Sequence, residues 1–268
     1  MENMTHSREE KALAFTDQGE GTPILLLHGL GSSRHEWDSL TPALTGAGYR
    51  VLACDLLGHG DSPKPADQRQ YRLETTYETL DRWIDSLHLR ELFFLGGHSL
   101  GGYLSLMFAL RGPARLRGLA LIDPFYSLEQ IPPPLNRLTG LLLIGEKILH
   151  ATPEKVLLRA MKNPFIHSSV LPLKSRQQGA IDIRTADPNV ARIMQSIPSL
   201  LPQVEKIQLP ALVVWGDRDR TCNPRLFPKL TARLSHAQGF CLPDCGHHPH
   251  LEKPEEVSQM ILTFLNNI

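Results

Sequence analysis

One short stretch constrains this chain more than any other: Gly97-His98-Ser99-Leu100-Gly101-Gly102, set between the apolar run Leu92–Leu95 and the helix-like segment Leu100–Arg111. A serine on so sharp a strand-to-helix turn projects from the end of a sheet, with a helix N-terminus beside it. The turn forces unusual backbone angles and a close strand–helix approach, so its neighbours must be small, and glycine serves. The backbone N–H of Leu100 then faces the place where an oxyanion would form on an acyl substrate. Ser99 is therefore the candidate nucleophile.

The rest of the chain has the pattern of a parallel sheet around that turn. Apolar runs occur at Ile24–Leu27, Arg50–Ala53, Leu92–Leu95, Leu119–Ile122, Ala211–Trp215 and Phe240–Leu242. Runs of this length, bounded by Gly, Asp or Pro, suit strands buried on both faces. Between them Glu36–Ala47, Leu73–Leu87, Leu100–Arg111 and Pro254–Leu265 carry apolar residues at helical spacing. Ala12–Asp17 is expected to add an antiparallel edge strand. The alternation predicts an α/β fold, a mostly parallel sheet with helices on both faces.

One region breaks the rhythm. Residues 125–209 contain no clear buried strand, and Pro132-Pro133-Pro134 stands near the start. Helical patterns follow at Leu135–Leu149, Pro153–Met161 and Asn189–Leu200, with Thr152 before Pro153 and Glu154 as a start signal. This predicts a helical cap inserted after the strand that ends near Asp123. Residues 1–124 and 210–268 then form the core. Leu141, Leu142, Leu157, Leu158, Met161 and Phe165 are candidates to line a pocket beneath the cap.

Composition narrows the partners. Lys plus Arg and Asp plus Glu number 28 each, so no basic excess is available to grip phosphate backbones. No nucleic acid is expected. The first residues lack the positive start and apolar stretch of a signal peptide, and no run approaches a membrane span. A cytoplasmic protein without membrane contact is expected. Cys54, Cys222, Cys241 and Cys245 read as free thiols, since no second Cys pair or His partner completes a zinc pattern. No metal and no cofactor are expected, and oligomeric state is not readable.

A serine nucleophile needs a base, and the base needs an acid. Of the twelve histidines, His247 in Cys245-Gly246-His247-His248-Pro249-His250 lies between the last strand and the last helix. His248 and His250 compete with it. His98 should point away from the nucleophile. The acid candidates are Asp219, after the penultimate strand, and Asp123, after the strand that follows the nucleophile helix. Both would stand at the carboxyl edge of the sheet. A second oxyanion donor should come from His28-Gly29-Leu30-Gly31, and the N–H of Leu30 is assigned, with His28 packing under the turn.

In order along the chain, these motifs resemble the α/β-hydrolase superfamily, and within it lid-bearing, carboxylesterase-like serine hydrolases. His28-Gly29-Leu30-Gly31 is similar to the family's oxyanion turn, and Asp55-Leu56-Leu57-Gly58-His59-Gly60-Asp61-Ser62 to its structural D-x-x-G-x-G-x-S loop. Gly97–Gly102 matches the nucleophile elbow. Gly216-Asp217-Arg218-Asp219 resembles the acid motif and places the acid on Asp219. Gly246-His247 matches the histidine turn. Two positions depart from the pattern: Asn223 stands where the family usually has Pro, and His248 follows the catalytic His247. The resemblance implies hydrolysis of a carboxylic ester, of small to medium aliphatic acyl groups, by a Ser-His-Asp triad through an acyl-enzyme. A serine at the elbow sets the chain apart from the dehalogenase and epoxide hydrolase branches, which use Asp there. Carbon–carbon hydrolase, lactonase or perhydrolase chemistry would use the same residues. A non-catalytic ligand receptor is the alternative of another class.

Overall fold

The computed structural model describes residues 12–132, 148, 150–160 and 171–268. Its centre is a seven-stranded sheet of β1 (Phe15–Gln18), β2 (Thr22–Leu27), β3 (Tyr49–Cys54), β4 (Phe93–His98), β5 (Leu116–Ile122), β6 (Pro210–Gly216) and β7 (His236–Leu242), in the order β1-β3-β2-β4-β5-β6-β7. β1 is antiparallel to β3, and all other neighbours are parallel.

Side chains alternate across a strand, so the buried runs must feed two cores. On β2, Leu25 and Leu27 enter one cluster, while Ile24 and Leu26 enter the other. The first cluster takes the apolar faces of α2 (Leu73–Ser86) and α3 (Leu100–Leu110). The second takes Leu44 of α1 (Thr41–Gly46) and the C-terminal helix, residues Pro254–Asn266. Helices therefore cover both faces, as expected.

Three local expectations change. The segment Glu36–Ala47 is not one helix: a 3₁₀ turn, Arg34–Trp37, precedes α1. Ser33 caps the first, accepting from the His35 N–H at 3.3 Å, and Pro42, which has no N–H to donate, sits in the first turn of α1. β7 runs well beyond Phe240–Leu242, because it is an edge strand paired with β6 alone and most of its side chains face solvent. The Thr152 hydroxyl turns back to the Ile148 carbonyl at 2.6 Å.

Between β5 and β6, the described elements are α4 (Glu154–Ala160), α5 (Leu173–Thr185) and 3₁₀ turns, the longest at Pro188–Ser196. Leu157 is buried and Leu158 half-buried. Leu141, Leu142, Met161, Phe165 and most of Leu135–Leu149 lie outside the described residues. Val190, Ile193, Ile197, Leu200 and Val204 pack into the same cluster as α2 and α3. After β6 come α6 (Phe227–Arg233), α7 (Pro249–Glu252) and α8 (Pro254–Asn266). No helix among the described residues is long and apolar enough to cross a membrane.

The start of α3 presses against the sheet more closely than a side chain allows. A Cβ on Gly101 would overlap the Leu27 carbonyl, and one on Gly97 would overlap the Gly101 backbone. Neither obstacle is a movable side chain. Gly101→Ala is expected to cost at least the 1–3 kcal/mol typical of overpacking, about that range or more, read from urea unfolding midpoints. A midpoint equal to wild type would show that α3 can back away.

Candidate active site

In an open parallel sheet a crevice forms where strand order reverses, and here that point lies between β2 and β4. The chain leaves β2 toward β3 on one side and leaves β4 toward β5 on the other. The turn after β2 and the turn after β4 therefore meet. A Cβ on Gly29 would lie 3.4 Å from the Cβ of Ser99.

Ser99 holds φ 48° and ψ −110°, a conformation that costs an L-residue about 1–3 kcal/mol. Its backbone is held on both sides. The N–H donates to Ile122 at 3.2 Å, and the carbonyl accepts from Tyr103 at 3.1 Å and Phe125 at 3.0 Å. The side chain is half-buried. Leu100 is the first residue of α3, so its N–H belongs to the helix-start donors that have no partner within the helix. In the facing turn, Gly29 N–H donates to Glu36 and Gly31 N–H to His59. Leu30 lies between these two engaged amides.

His247 sits on the loop between β7 and α7. Its Nδ1 lies 2.7 Å from Asp219 Oδ2, and both side chains are buried. Asp219 Oδ1 accepts from the N–H groups of Thr221 at 2.7 Å and Cys222 at 3.0 Å. Burial opposes charge on Asp219, but the His247 ring and these donors hold the carboxyl below its ordinary value. Ser99 and His247 make no direct hydrogen bond among the described residues, and such contacts are often long before substrate binds.

Asp123 is placed differently. It is fully buried with φ 38°, and its Oδ1 accepts from Gly216 N–H at 3.3 Å. Burial, and then the negative charge of Asp219, push its carboxyl well above the ordinary range. Two neighbouring carboxyls are thus driven apart, one toward the charged form and one toward the protonated form. His247 is paired with the charged one. His248 and His250 take other places: the His250 ring is buried and stacks on Trp37 at 5.0 Å, and His248 is half-buried.

Asn223 keeps the acid loop in shape where Pro was expected. Its side chain accepts from Arg225 N–H at 3.1 Å, and its own N–H donates to Gln130 at 2.7 Å. Two clusters bring three possible metal-ligand atoms within 4.8 Å of one another, Glu36/His98/His248 and Asp219/Cys222/His247. In each, a carboxylate is already paired with a histidine.

The model of the α/β-hydrolase fold family matches residues 22–254. The chain belongs to this family. Bifunctional epoxide hydrolase 2 of Mus musculus is 26% identical over 94% of this chain, which spans 53% of that protein's length. Lipase 3 of Moraxella sp. (strain TA144) is 26% identical over 98% of the chain and 83% of its own. The solved structure of a thermophilic esterase from Thermogutta terrifontis, with malate bound, superposes with a TM-score of 0.78 at 26% identity, covering 95% of this chain and 93% of that one.

The turn after β2 rests on residues that sequence reading ranked low or missed. Arg34 bridges Asp55 and Asp61, and Arg34 N–H donates to Asp55 Oδ1 at 2.7 Å, which locks the D-x-x-G-x-G-x-S loop under the turn. Glu36 is 4% exposed and was hidden inside an apparent amphipathic helix. The available signal was a charged side chain directly before the large apolar Trp37. His28 accepts from Leu56 N–H at 3.0 Å through Nε2, with Nδ1 on the Gly29 carbonyl at 2.7 Å.

His59 holds the same turn in its neutral form. Nε2 accepts from Gly31 at 3.1 Å, so Nδ1 carries the proton toward the Leu57 carbonyl at 3.0 Å. Burial first, and the neighbouring His28 ring second, depress it to about 3. A histidine held neutral contributes stability that is full above its unfolded pKa, about 6.5, and drains as pH falls toward the folded value. His59→Gln keeps a carbonyl acceptor for Gly31 but cannot titrate. The stability lost between pH 6.5 and pH 4 should be smaller in this variant than in wild type, by urea denaturation at each pH. Equal losses would remove His59 as the source.

Proposed function

We propose that the chain is a serine esterase, cleaving carboxylic esters of small to medium aliphatic acyl groups. The observation that carries this reading is the buried 2.7 Å contact of His247 Nδ1 with Asp219, on loops that flank a serine at φ 48°. Nδ1–H facing a carboxylate leaves Nε2 as the basic nitrogen. The esterase and lipase names of two relatives support ester chemistry, and the serine at position 99 supports an acyl-enzyme.

In this mechanism Ser99 Oγ attacks the acyl carbon while His247 Nε2 takes its proton. The N–H groups of Leu30 and Leu100 hold the oxyanion, each worth about 10²–10³ in rate. The intermediate collapses, His247 returns the proton to the departing alkoxide, and the alcohol leaves. Water then attacks the acyl-enzyme with His247 as base, and the carboxylic acid is released with Ser99 restored. Asp219 fixes the imidazole tautomer and stabilises its charged form throughout.

Turnover of p-nitrophenyl esters from acetate to decanoate tests the reading. Activity should peak at one chain length, and Ser99→Ala should lower turnover by about 10⁶. No activity on any ester, with Ser99 still labelled by a fluorophosphonate, would move the assignment to a lactone or carbon–carbon substrate. No labelling would leave a binding protein.

The acid assignment has its own test. Asp219→Asn should cost about 10⁴ in turnover, because the wrong imidazole tautomer is then favoured. Asp123 is pushed toward its uncharged form, so Asp123→Asn should leave turnover close to wild type. The reverse ranking would make Asp123 the acid.

A further inference from the structure

We infer that Glu36 is a positioning residue for the reaction, a single buried carboxylate that ties the oxyanion turn to the nucleophile elbow and, through His98, to the catalytic-histidine loop. This rests on the serine-hydrolase reading of the site.

Three loops converge on Glu36. Its Oε2 accepts from the Gly29 N–H at 2.9 Å, which fixes the residue just before the proposed oxyanion donor Leu30. Its Oε1 lies 2.8 Å from Nδ1 of His98, the residue before Ser99, and 3.4 Å from Nε2 of His250. The other nitrogen of His98 donates to the carbonyl of His247 at 2.8 Å. One carboxylate and one imidazole therefore span the turn after β2, the elbow after β4 and the loop after β7. The His98 ring packs 4.8 Å from those of His247 and His250 and 4.9 Å from that of His248.

The chemistry of the pair agrees. Both nitrogens of His98 lie 2.8 Å from an oxygen, which suits an imidazolium. Burial works against that charge, but Glu36 outweighs it and raises the ring above its ordinary value. Burial likewise opposes charge on Glu36, yet the two rings beside it hold the carboxyl well below its usual range. His250 is pushed down to about 4, chiefly by burial, so of the two rings beside Glu36 only His98 is drawn toward the charged form. A buried carboxylate that needed only a counter-ion could be met by His98 alone. Its second oxygen instead holds the backbone that carries Leu30.

The test uses fluorophosphonate labelling of Ser99, which needs no knowledge of the substrate. Labelling at saturating probe reports the rate at the serine, the half-saturating concentration reports binding, and the final labelled fraction counts competent sites. Glu36→Asp keeps the charge but is one methylene too short to reach both Gly29 and His98. Glu36→Gln keeps the reach and an acceptor for Gly29. Glu36→Ala removes both, and should it not fold, the Asp and Gln variants carry the test. The saturating rate per competent site is expected to fall about tenfold to a hundredfold in the Asp variant, with half-saturation unchanged and with rescue by Gln. An Asp variant that labels at the wild-type rate per site, with only its melting temperature lowered, would reduce Glu36 to a packing role and overturn the inference. Wild type that does not label at all would overturn the serine-hydrolase reading itself.

Discussion

Everything at the site depends on how closely the start of α3 can approach β2 and β4. An ordinary helix packs on a sheet through its side chains. Here Gly101 and Gly102 meet the Leu27 carbonyl and Pro124 with no Cβ between, and Gly97 faces the backbone of Gly101. That removes a layer of side chains and lets the helix start sit on the sheet edge. Ser99 is then forced into positive φ, which aims its side chain out of the layer. The strain is bearable because Ile122, Tyr103 and Phe125 fix the backbone around it. With larger residues at these glycines, the helix would retreat and the turn after β2 would no longer meet the elbow.

The same edge is gripped from above by the segment between β5 and β6. Ser33, beside the turn after β2, donates to Asp182 of α5 at 2.8 Å, and Asp187 N–H donates to the Gly58 carbonyl at 2.8 Å. Tyr103 of α3 reaches the Pro198 carbonyl at 3.0 Å. Asp182 is raised above the ordinary carboxyl value, by burial first, even though Gln178 and Ser33 donate to it. A polar contact that resists its own burial persists only where the surrounding packing holds it. That packing comes from Val190, Ile193 and Ile197, which enter the apolar cluster of the sheet.

How much of this could be read from residues alone follows from which interactions are local. β2, β4, β5 and β6 declare themselves because a strand buried on both faces must be apolar throughout. β7 shows only its last residues, since an edge strand with one neighbour can carry His236, Gln238 and Gly239 without penalty. The elbow is legible because its demands fall on consecutive residues. His247 and Asp219 are legible through their places after strands, but the choice between Asp219 and Asp123 is a matter of hydrogen-bond partners and burial that no spacing encodes. Glu36 is the clearest loss. Its three partners lie 7, 62 and 214 residues away in the chain, at Gly29, His98 and His250, and helical periodicity offered a sufficient local account of it.

The histidines show why such long-range pairing matters. His28 and His59 each accept a backbone N–H through Nε2. His98 faces two oxygens and is suited to a cation. His247 faces a carboxylate with one nitrogen, Nδ1. All four rings are buried, so depth cannot assign the roles. The assignment comes from what each ring nitrogen meets: an amide, a carbonyl or a carboxylate. Residue type and depth alone would make these four rings equivalent. It is the oxygen and nitrogen atoms delivered to one end of the sheet that tell them apart.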